Sequence, residues 1–343
     1  MFSNIAMLKS ICILNYNSQS IGVKVIIDAL KKNLSSNYEV QIVSSLRDVN
    51  KNVKLFTYGP KETYEALKSG YNVDLSLMVD YHTLSLKNRT KFLIKNGYLF
   101  SKSTIRSLLG YFLYYYREWY ISKHCDKYMF VSQSDIDLFR KRFPNAKCYC
   151  VPNGVDIPED YIKERTSSKL SLGILSGWTP GTFIEAKWFI DHYWPKIIKE
   201  VDVELVVCGK FATQDMIEYF ERQQNVTFIG PVDQLSLFFN LIDIYVATKP
   251  IGCGILNKVL DAFAYKTLTI GIKESFTGFS YMKDSLIVCE KVDEFVKILK
   301  LYHTNPSMYG NIVNNATYYI KLFNNWDKNY NKFIKDLQAD GTI

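Results

Sequence analysis

Short apolar runs alternate along the chain with segments in which apolar positions recur every three or four residues. The first kind fits buried strands and the second fits amphipathic helices. Residues 10–14 (Ser-Ile-Cys-Ile-Leu) read as a strand, 15–22 as a polar loop ending in Gly22, and 23–34 as a helix. Strands are expected at 39–43, 53–56 and 73–79, with a short helix at 61–69. Asp80, Tyr81 and His82 stand at the C-terminal end of the 73–79 run, where a histidine is either a site residue or a structural loop residue. Residues 127–131 return to strand, Ser132 caps a helix to about 142, and 148–151 form a further strand. Pro152-Asn153-Gly154-Val155-Asp156-Ile157-Pro158 then breaks the pattern, and 163–169 is polar.

The second half repeats the alternation. Strands are expected at 170–175, 203–208, 226–229, 244–247, 268–272 and 286–289, and helices at 183–199, 213–222, 234–240 and 293–302. The C-terminal segment reads as helical, with Tyr318, Phe323, Trp326, Tyr330, Phe333 and Leu337 as an apolar stripe. Strands alternating with helices imply parallel sheets. The expectation is an α/β protein of two Rossmann-like domains facing each other across a cleft. The first covers 1–157 plus a C-terminal helix at about 318–343, and the second covers 165–317.

One stretch carries distinctive chemistry: Lys249-Pro250-Ile251-Gly252-Cys253-Gly254-Ile255-Leu256-Asn257-Lys258, running into Val259-Leu260-Asp261-Ala262. It leaves an apolar run and opens a helix. Two close glycines at a helix start present backbone N–H groups and the positive end of the helix dipole. Lys258 and Asp261 stand three apart, on one helical face. Phosphate suits the N–H groups and Lys258, and a ribose diol suits Asp261. The bland alternative is a tight loop before a core helix. A dinucleotide fingerprint is disfavoured because Asn257 stands where its third glycine belongs, and no Gly-Lys-Ser/Thr follows for a Walker A loop.

Composition narrows the class. The 343 residues suffice for two domains, and 48% hydrophobic with 22% charged residues is ordinary for a globular protein. No apolar run reaches the roughly 18 residues of a membrane span, and no signal peptide is expected. The seven cysteines (Cys12, Cys125, Cys148, Cys150, Cys208, Cys253, Cys289) are scattered, which fits reduced thiols in the cytoplasm. The net charge of +8 is uneven: residues 87–123 hold eight Lys or Arg against Glu118 alone. Aromatics interleave there, notably from Tyr111 to Tyr116. An anionic membrane surface is the favoured partner for that segment, against a solvated helix pair or single-stranded nucleic acid. No metal-ligand cluster is expected.

The sequence resembles the retaining glycosyltransferases of the GT-B fold, family 4 type. The resemblance is carried by Tyr128–Ser132 with the Pro152–Asp156 passage, by Trp178 to Phe189 with Trp194-Pro195, by Asn225 to Val232, and by Lys249 to Ala264. It implies transfer of a sugar from a nucleotide sugar to a hydroxyl with retention, without metal or other cofactor, the nucleotide sugar being a co-substrate. Lys258 and His82 are the implied catalytic residues. Donor-binding residues are Gly177, Trp178, Lys210, Val232, Gly252, Cys253, Gly254, Ile255, Lys258 and Asp261; acceptor-side residues are Gly22, Asp80 and His82. Asp261 stands where the family usually has glutamate. Cys253 stands where many members have a glutamate near the donor sugar, which leaves that sugar's recognition open. The expected setting is surface-polysaccharide or lipopolysaccharide assembly by a peripheral protein on the cytoplasmic face of the inner membrane. The partners would be a glycan or lipid-linked glycan acceptor and an anionic surface, and not nucleic acid. The alternatives are a non-catalytic nucleotide-sugar-binding subunit, and an epimerase or phosphorylase whose acid/base constellation is not found.

Overall fold

The computed structural model describes residues 9–16, 21–163 and 169–343. The expected polar loop at 17–20 and most of the 163–169 stretch lie outside the described residues. The chain divides into two compact units, Met1–Gly154 with Asn325–Ile343, and Val155–Asn324.

The first unit holds β1 (Ser10–Leu14), β2 (Glu39–Val43), β3 (Lys54–Tyr58), β4 (Leu75–Val79), β5 (Lys127–Phe130) and β6 (Lys147–Cys150). They form one parallel sheet in the order β2-β1-β3-β4-β5-β6. Its helices are α1 (Ile21–Leu34), α2 (Pro60–Lys68), α3 (His82–Lys95), α4 (Lys102–Ile121) and α5 (Gln133–Arg142). Strand β1 is apolar on both faces because both are covered, as a parallel sheet requires: Ile11, Cys12, Ile13 and Leu14 are all buried. Ser132 caps α5 by accepting the Asp135 N–H at 3.1 Å.

The second unit holds β7 (Leu170–Leu175), α6 (Pro180–His192), α7 (Trp194–Glu200), β8 (Val203–Cys208), α8 (Gln214–Glu221), β9 (Val226–Gly230), α9 (Leu235–Leu241) and β10 (Ile244–Ala247). It continues with α10 (Asn257–Ala264), β11 (Leu268–Gly271), β12 (Ile287–Val288), α11 (Val292–Thr304) and α12 (Gly310–Phe323). The sheet is parallel throughout, in the order β12-β11-β10-β7-β8-β9. The chain winds outward from β7 toward β9, then returns to lay β10 on the other side of β7. That reversal is the place where an open α/β sheet leaves a crevice at its strands' C-terminal ends.

Two expected elements are interrupted. The helix at 183–199 breaks at Tyr193, because Pro195 sits in the first turn of α7 and cannot continue the preceding ladder. The C-terminal stripe is not one helix. Segment α12 ends at Phe323, and Asn325 caps a new helix, Trp326–Ala339, by accepting the Lys328 N–H at 2.8 Å. Tyr318 and Phe323 are exposed on α12, whereas Tyr330, Phe333 and Leu337 are buried in the first unit. There the Tyr330 hydroxyl donates to the Ile26 carbonyl of α1 at 3.3 Å. The crossings between units therefore fall at 154–155 and 324–325.

Gly154 makes the seat for this last helix. A Cβ on Gly154 would stand 2.3 to 2.6 Å from the ring atoms of Trp326, which itself stacks near Tyr330. Gly154→Val should therefore lower the melting temperature by an overpacking cost of about 1–3 kcal/mol. An unchanged calorimetric transition would show that the helix can shift away freely.

Candidate functional site

The C-terminal edge of the second sheet gathers most of the residues singled out in the sequence. The 248–256 loop carries the chain from β10 into α10, whose first turn has no side-chain cap because its N-cap is Leu256. Lys258 Nζ donates to Asp261 Oδ2 at 3.1 Å. The lysine side chain is 37% exposed and the aspartate 19%. Burial raises the Asp261 carboxyl above the ordinary range, the Lys258 ammonium pulls it back, and Asp156 adds a second negative charge nearby. The same ammonium lies close enough to the end of β8 to oppose the burial that pushes the Cys208 thiol up to about 11. The Val232 amide bonds that thiol as well. Lys258, Asp261, Cys208 and Val232 thus belong to one neighbourhood.

The glycine loop itself is buried, and its floor is a segment whose role the sequence did not reveal. Residues 251–255 are all buried, with Gly254 at φ +63°. The helical turns Lys273–Ser285 lie against them. A Cβ on Gly278 would meet the Gly254 carbonyl oxygen at 2.3 Å and Ile255 Cγ1 at 2.7 Å, and one on Gly252 would meet Thr277 Oγ1 at 2.5 Å. Buried Ser275 bridges the carbonyls of Ala247 and Lys249, 3.0 Å from each. The side chains of Cys253 and Ile255 are buried with it.

The neighbouring loops are tied to each other through their backbones. The Ser176 N–H donates to the Cys208 carbonyl, Gly209 to Gly230, and Trp178 to Lys210, at 2.8 to 3.1 Å. Gly209 has φ +143°, and a Cβ there would fall 1.7 Å from the Ser176 carbonyl oxygen, so no other residue fits. Lys210 is exposed, and Phe211 after it is 72% exposed at φ +69°. Trp178 is among the donor-binding residues expected from the sequence; its indole is 1% exposed and packs 5.0 Å from Phe220 in the core. Only its backbone reaches the loop. Gly177 borders open space, so nothing in the fold demands glycine there.

In the first unit, the turn after β4 is strained and heavily braced. Val79, a β-branched residue, has φ +64°, a conformation that costs on the order of 1–3 kcal/mol and persists where the surroundings enforce it. Two buried carboxylates hold the next amides. Asp135 Oδ2 accepts the Tyr81 N–H at 3.2 Å, and Glu118 Oε1 accepts the Thr83 N–H at 3.0 Å. Both sit at the start of α3, where negative charge is favoured. His82 Nδ1 lies 3.0 Å from the Asp80 carbonyl, which can only accept, so Nδ1 carries the proton and Nε2 is left as an acceptor. The imidazole stacks on Tyr114 of α4 with centroids 5.3 Å apart, and burial holds its pKa below the usual value. Asp80 and His82 stand together at this turn. Gly22 lies in α1 beside open space.

Among the described residues no group of three or more His, Cys, Asp or Glu is placed to hold a metal ion. No helix among them is long and apolar enough to cross a membrane. All seven cysteines are unbridged.

Residues 178–303, spanning the loops after β7 through β10 and the whole Lys258 neighbourhood, match the family model of glycosyl transferases group 1. The matched stretch covers most of the second unit. No curated protein matches the sequence. Among solved structures, sucrose-phosphate synthase from Thermosynechococcus elongatus superposes with a TM-score of 0.69 at 10% identity, covering 97% of this chain and 100% of that one. HepE from Anabaena, in complex with UDP, gives 0.61 at 13% identity, covering 96% and 100%. A glycosyltransferase from Rickettsia africae gives 0.57 at 11%, covering 96% and 98%. At such identities the likeness is one of fold, and that fold is GT-B, with two Rossmann-like sheets. The matched stretch spans every donor-side residue expected from the sequence except Gly177, which lies one position before it.

The brace on α3 has a titration signature. Glu118 is fully buried, and burial pushes its carboxyl up to about 7 from 4.5, against the opposing Thr83 bonds and Arg142. The folded state therefore takes up this proton before the unfolded chain does. Its contribution makes folding more favourable as pH falls from above 7 toward 4.5. Glu118→Gln should flatten that limb of the melting-temperature profile; an identical profile would show that the carboxyl titrates normally.

Proposed function

We propose that this chain transfers a sugar from a nucleotide sugar to a hydroxyl with retention of anomeric configuration, and needs no metal to do so. The observation that carries the reading is Lys258, half exposed in the uncapped first turn of α10, beside Asp261 and over a buried glycine loop. As the bond from the anomeric carbon to the diphosphate oxygen breaks, negative charge gathers on the leaving phosphate. The α10 N-terminus and the Lys258 ammonium supply fixed positive charge there, the part a metal plays elsewhere. The bond to the acceptor oxygen forms on the same face, and the acceptor's proton leaves with the diphosphate. Asp261 takes the ribose hydroxyls, and neutral His82 offers Nε2 to a substrate hydroxyl. HepE has been solved with UDP and with UDP-glucose, which supports a nucleotide-sugar donor.

The acceptor in this reading is a glycan, carried on a lipid, in surface-polysaccharide assembly. The setting is the cytoplasmic face of the inner membrane, with residues 87–123 against anionic lipid. Their eight basic residues and their aromatics support it.

A thermal-shift series with UDP-, GDP-, CMP- and dTDP-sugars should single out one base by a raised melting temperature, since a ligand of the native state stabilises it. Lys258→Ala should keep the fold and lose about 10²–10³-fold in turnover; full turnover would refute the assignment. Turnover of a labelled nucleotide sugar by the purified chain also excludes a purely binding subunit. Gly278→Val should leave circular dichroism unchanged while weakening donor binding by about ten- to a hundredfold, the affinity equivalent of displacing the loop above it. Unaltered donor affinity in a titration would show that the loop tolerates the shift.

A further inference from the structure

Helices α3 and α4 form an antiparallel hairpin clasped along its length by small and polar groups. Thr104 Oγ1 donates to the Tyr98 carbonyl at 2.5 Å, and Thr90 Oγ1 to Ser107 Oγ at 2.9 Å. Ser107 Oγ donates to the Leu86 carbonyl at 3.1 Å, and the Leu86 methyls sit where a Cβ on Gly110 would touch them at 3.4 Å. The clasp ends at the Tyr114–His82 stack and the paired Thr83–Glu118 bonds.

The other face of α4 is apolar and uncovered. Ile105, Leu108, Leu109, Phe112, Leu113, Tyr116 and Trp119 are between 44% and 65% exposed, and recur at helical spacing over a helix about 30 Å long. Phe100, on the turn leading into α4, is 90% exposed. Soluble surfaces rarely leave so continuous a patch open. Its electrostatics choose the occupant. Lys87, Lys91, Lys95, Lys102, Arg106 and Lys123 are exposed, while the only acid from 82 to 123 is Glu118, fully buried against Arg142. An apolar stripe flanked by cations with no exposed carboxylate fits the boundary between acyl chains and anionic headgroups.

We propose that α4 lies on an anionic lipid surface by this outer face, and that the clasped hairpin transmits docking to the turn bearing His82, so that the acceptor side is fixed when the protein is seated on the surface presenting its acceptor. The proposal rests on the acceptor-side reading of His82 given above. Its path is short: the residues that meet lipid and the ring that meets His82 stand on opposite sides of one helix, two residues apart at Phe112 and Tyr114.

The test is hydrogen exchange by mass spectrometry on the full chain, with phosphatidylglycerol vesicles, with phosphatidylcholine vesicles and with none. Phosphatidylglycerol should pellet the protein and slow exchange several-fold over 99–119 and also over 80–86; phosphatidylcholine should do neither. Leu109→Asp with Phe112→Asp, both on exposed positions, should abolish pelleting and both protections. Tyr114→Ala should pellet normally yet lose the protection at 80–86, and Tyr114→Phe, which keeps the stack, should restore it. Failure to pellet, or protection confined to 99–119, overturns the proposal. So does sedimentation velocity showing that the same patch is covered by a second copy. Donor binding is read separately: if no nucleotide sugar raises the melting temperature while the 80–86 protection appears, the donor reading falls and this one stands.

Discussion

The loop that opens α10 holds its shape because Gly278 puts nothing but hydrogen against the Gly254 carbonyl. A methyl there would stand 2.3 Å from that oxygen. Ser275, three residues earlier, bridges the carbonyls at the end of β10 from the same segment. The geometry of this turn is therefore set by residues more than twenty positions downstream, across β11. The neighbouring loops follow the same logic: Gly209 admits the Ser176 carbonyl where any side chain would collide. The site proposed here, assembled from backbone amides, would need this kind of control, since amides have no rotamers to adjust and can be aimed only by fixing the chain.

The first unit solves a related problem with charge. The turn at 79–83 is strained at Val79, and a strained turn survives only where its partners outweigh the cost. Asp135 and Glu118 supply that hold by accepting the Tyr81 and Thr83 amides at the head of α3. Burying a carboxylate is costly unless it is bonded and paired. Glu118 has three such bonds, two from Thr83 and one from Arg142, whose guanidinium also lies 3.5 Å above the Tyr115 ring. One helix, α4, thus carries the brace on its inner face and an uncovered apolar surface on its outer face.

Much of this was legible from the amino-acid sequence. Parallel sheets announce themselves through apolar runs such as Ile11–Leu14 and Leu170–Leu175, buried on both faces, and the Gly-x-Gly start of α10 through its lysine and aspartate. What escaped is non-local. Nothing in the spelling of Phe276-Thr277-Gly278-Phe279 says which loop it lies beneath, and Glu118 reads as a lone acid in a basic helix until Thr83 and Arg142 are seen around it. The burial of Trp178 against Phe220 was not legible either, because a tryptophan in a sheet-edge loop does not say which way its ring turns. The C-terminal stripe misled because periodicity runs through Asn324 and Asn325, where the capping hydrogen bond restarts the helix.

The pair at Lys258 and Asp261 brings these constraints to the proposed reaction. An ion pair with one partner 37% exposed is worth little, of order 1 kcal/mol or less. On the proposed reading, Lys258 would turn its ammonium from Asp261 to a phosphate, without any rearrangement of the helix beneath it. Asp261 is the more buried of the two and its carboxyl already titrates high, so loss of the lysine would leave it poorly solvated. Hydroxyl donors from a ribose would make good that loss. On the proposed reading, binding of the diphosphate and of the ribose would then be coupled through one side-chain bond. The aspartate oxygen stands 3.1 Å from the ammonium it would release.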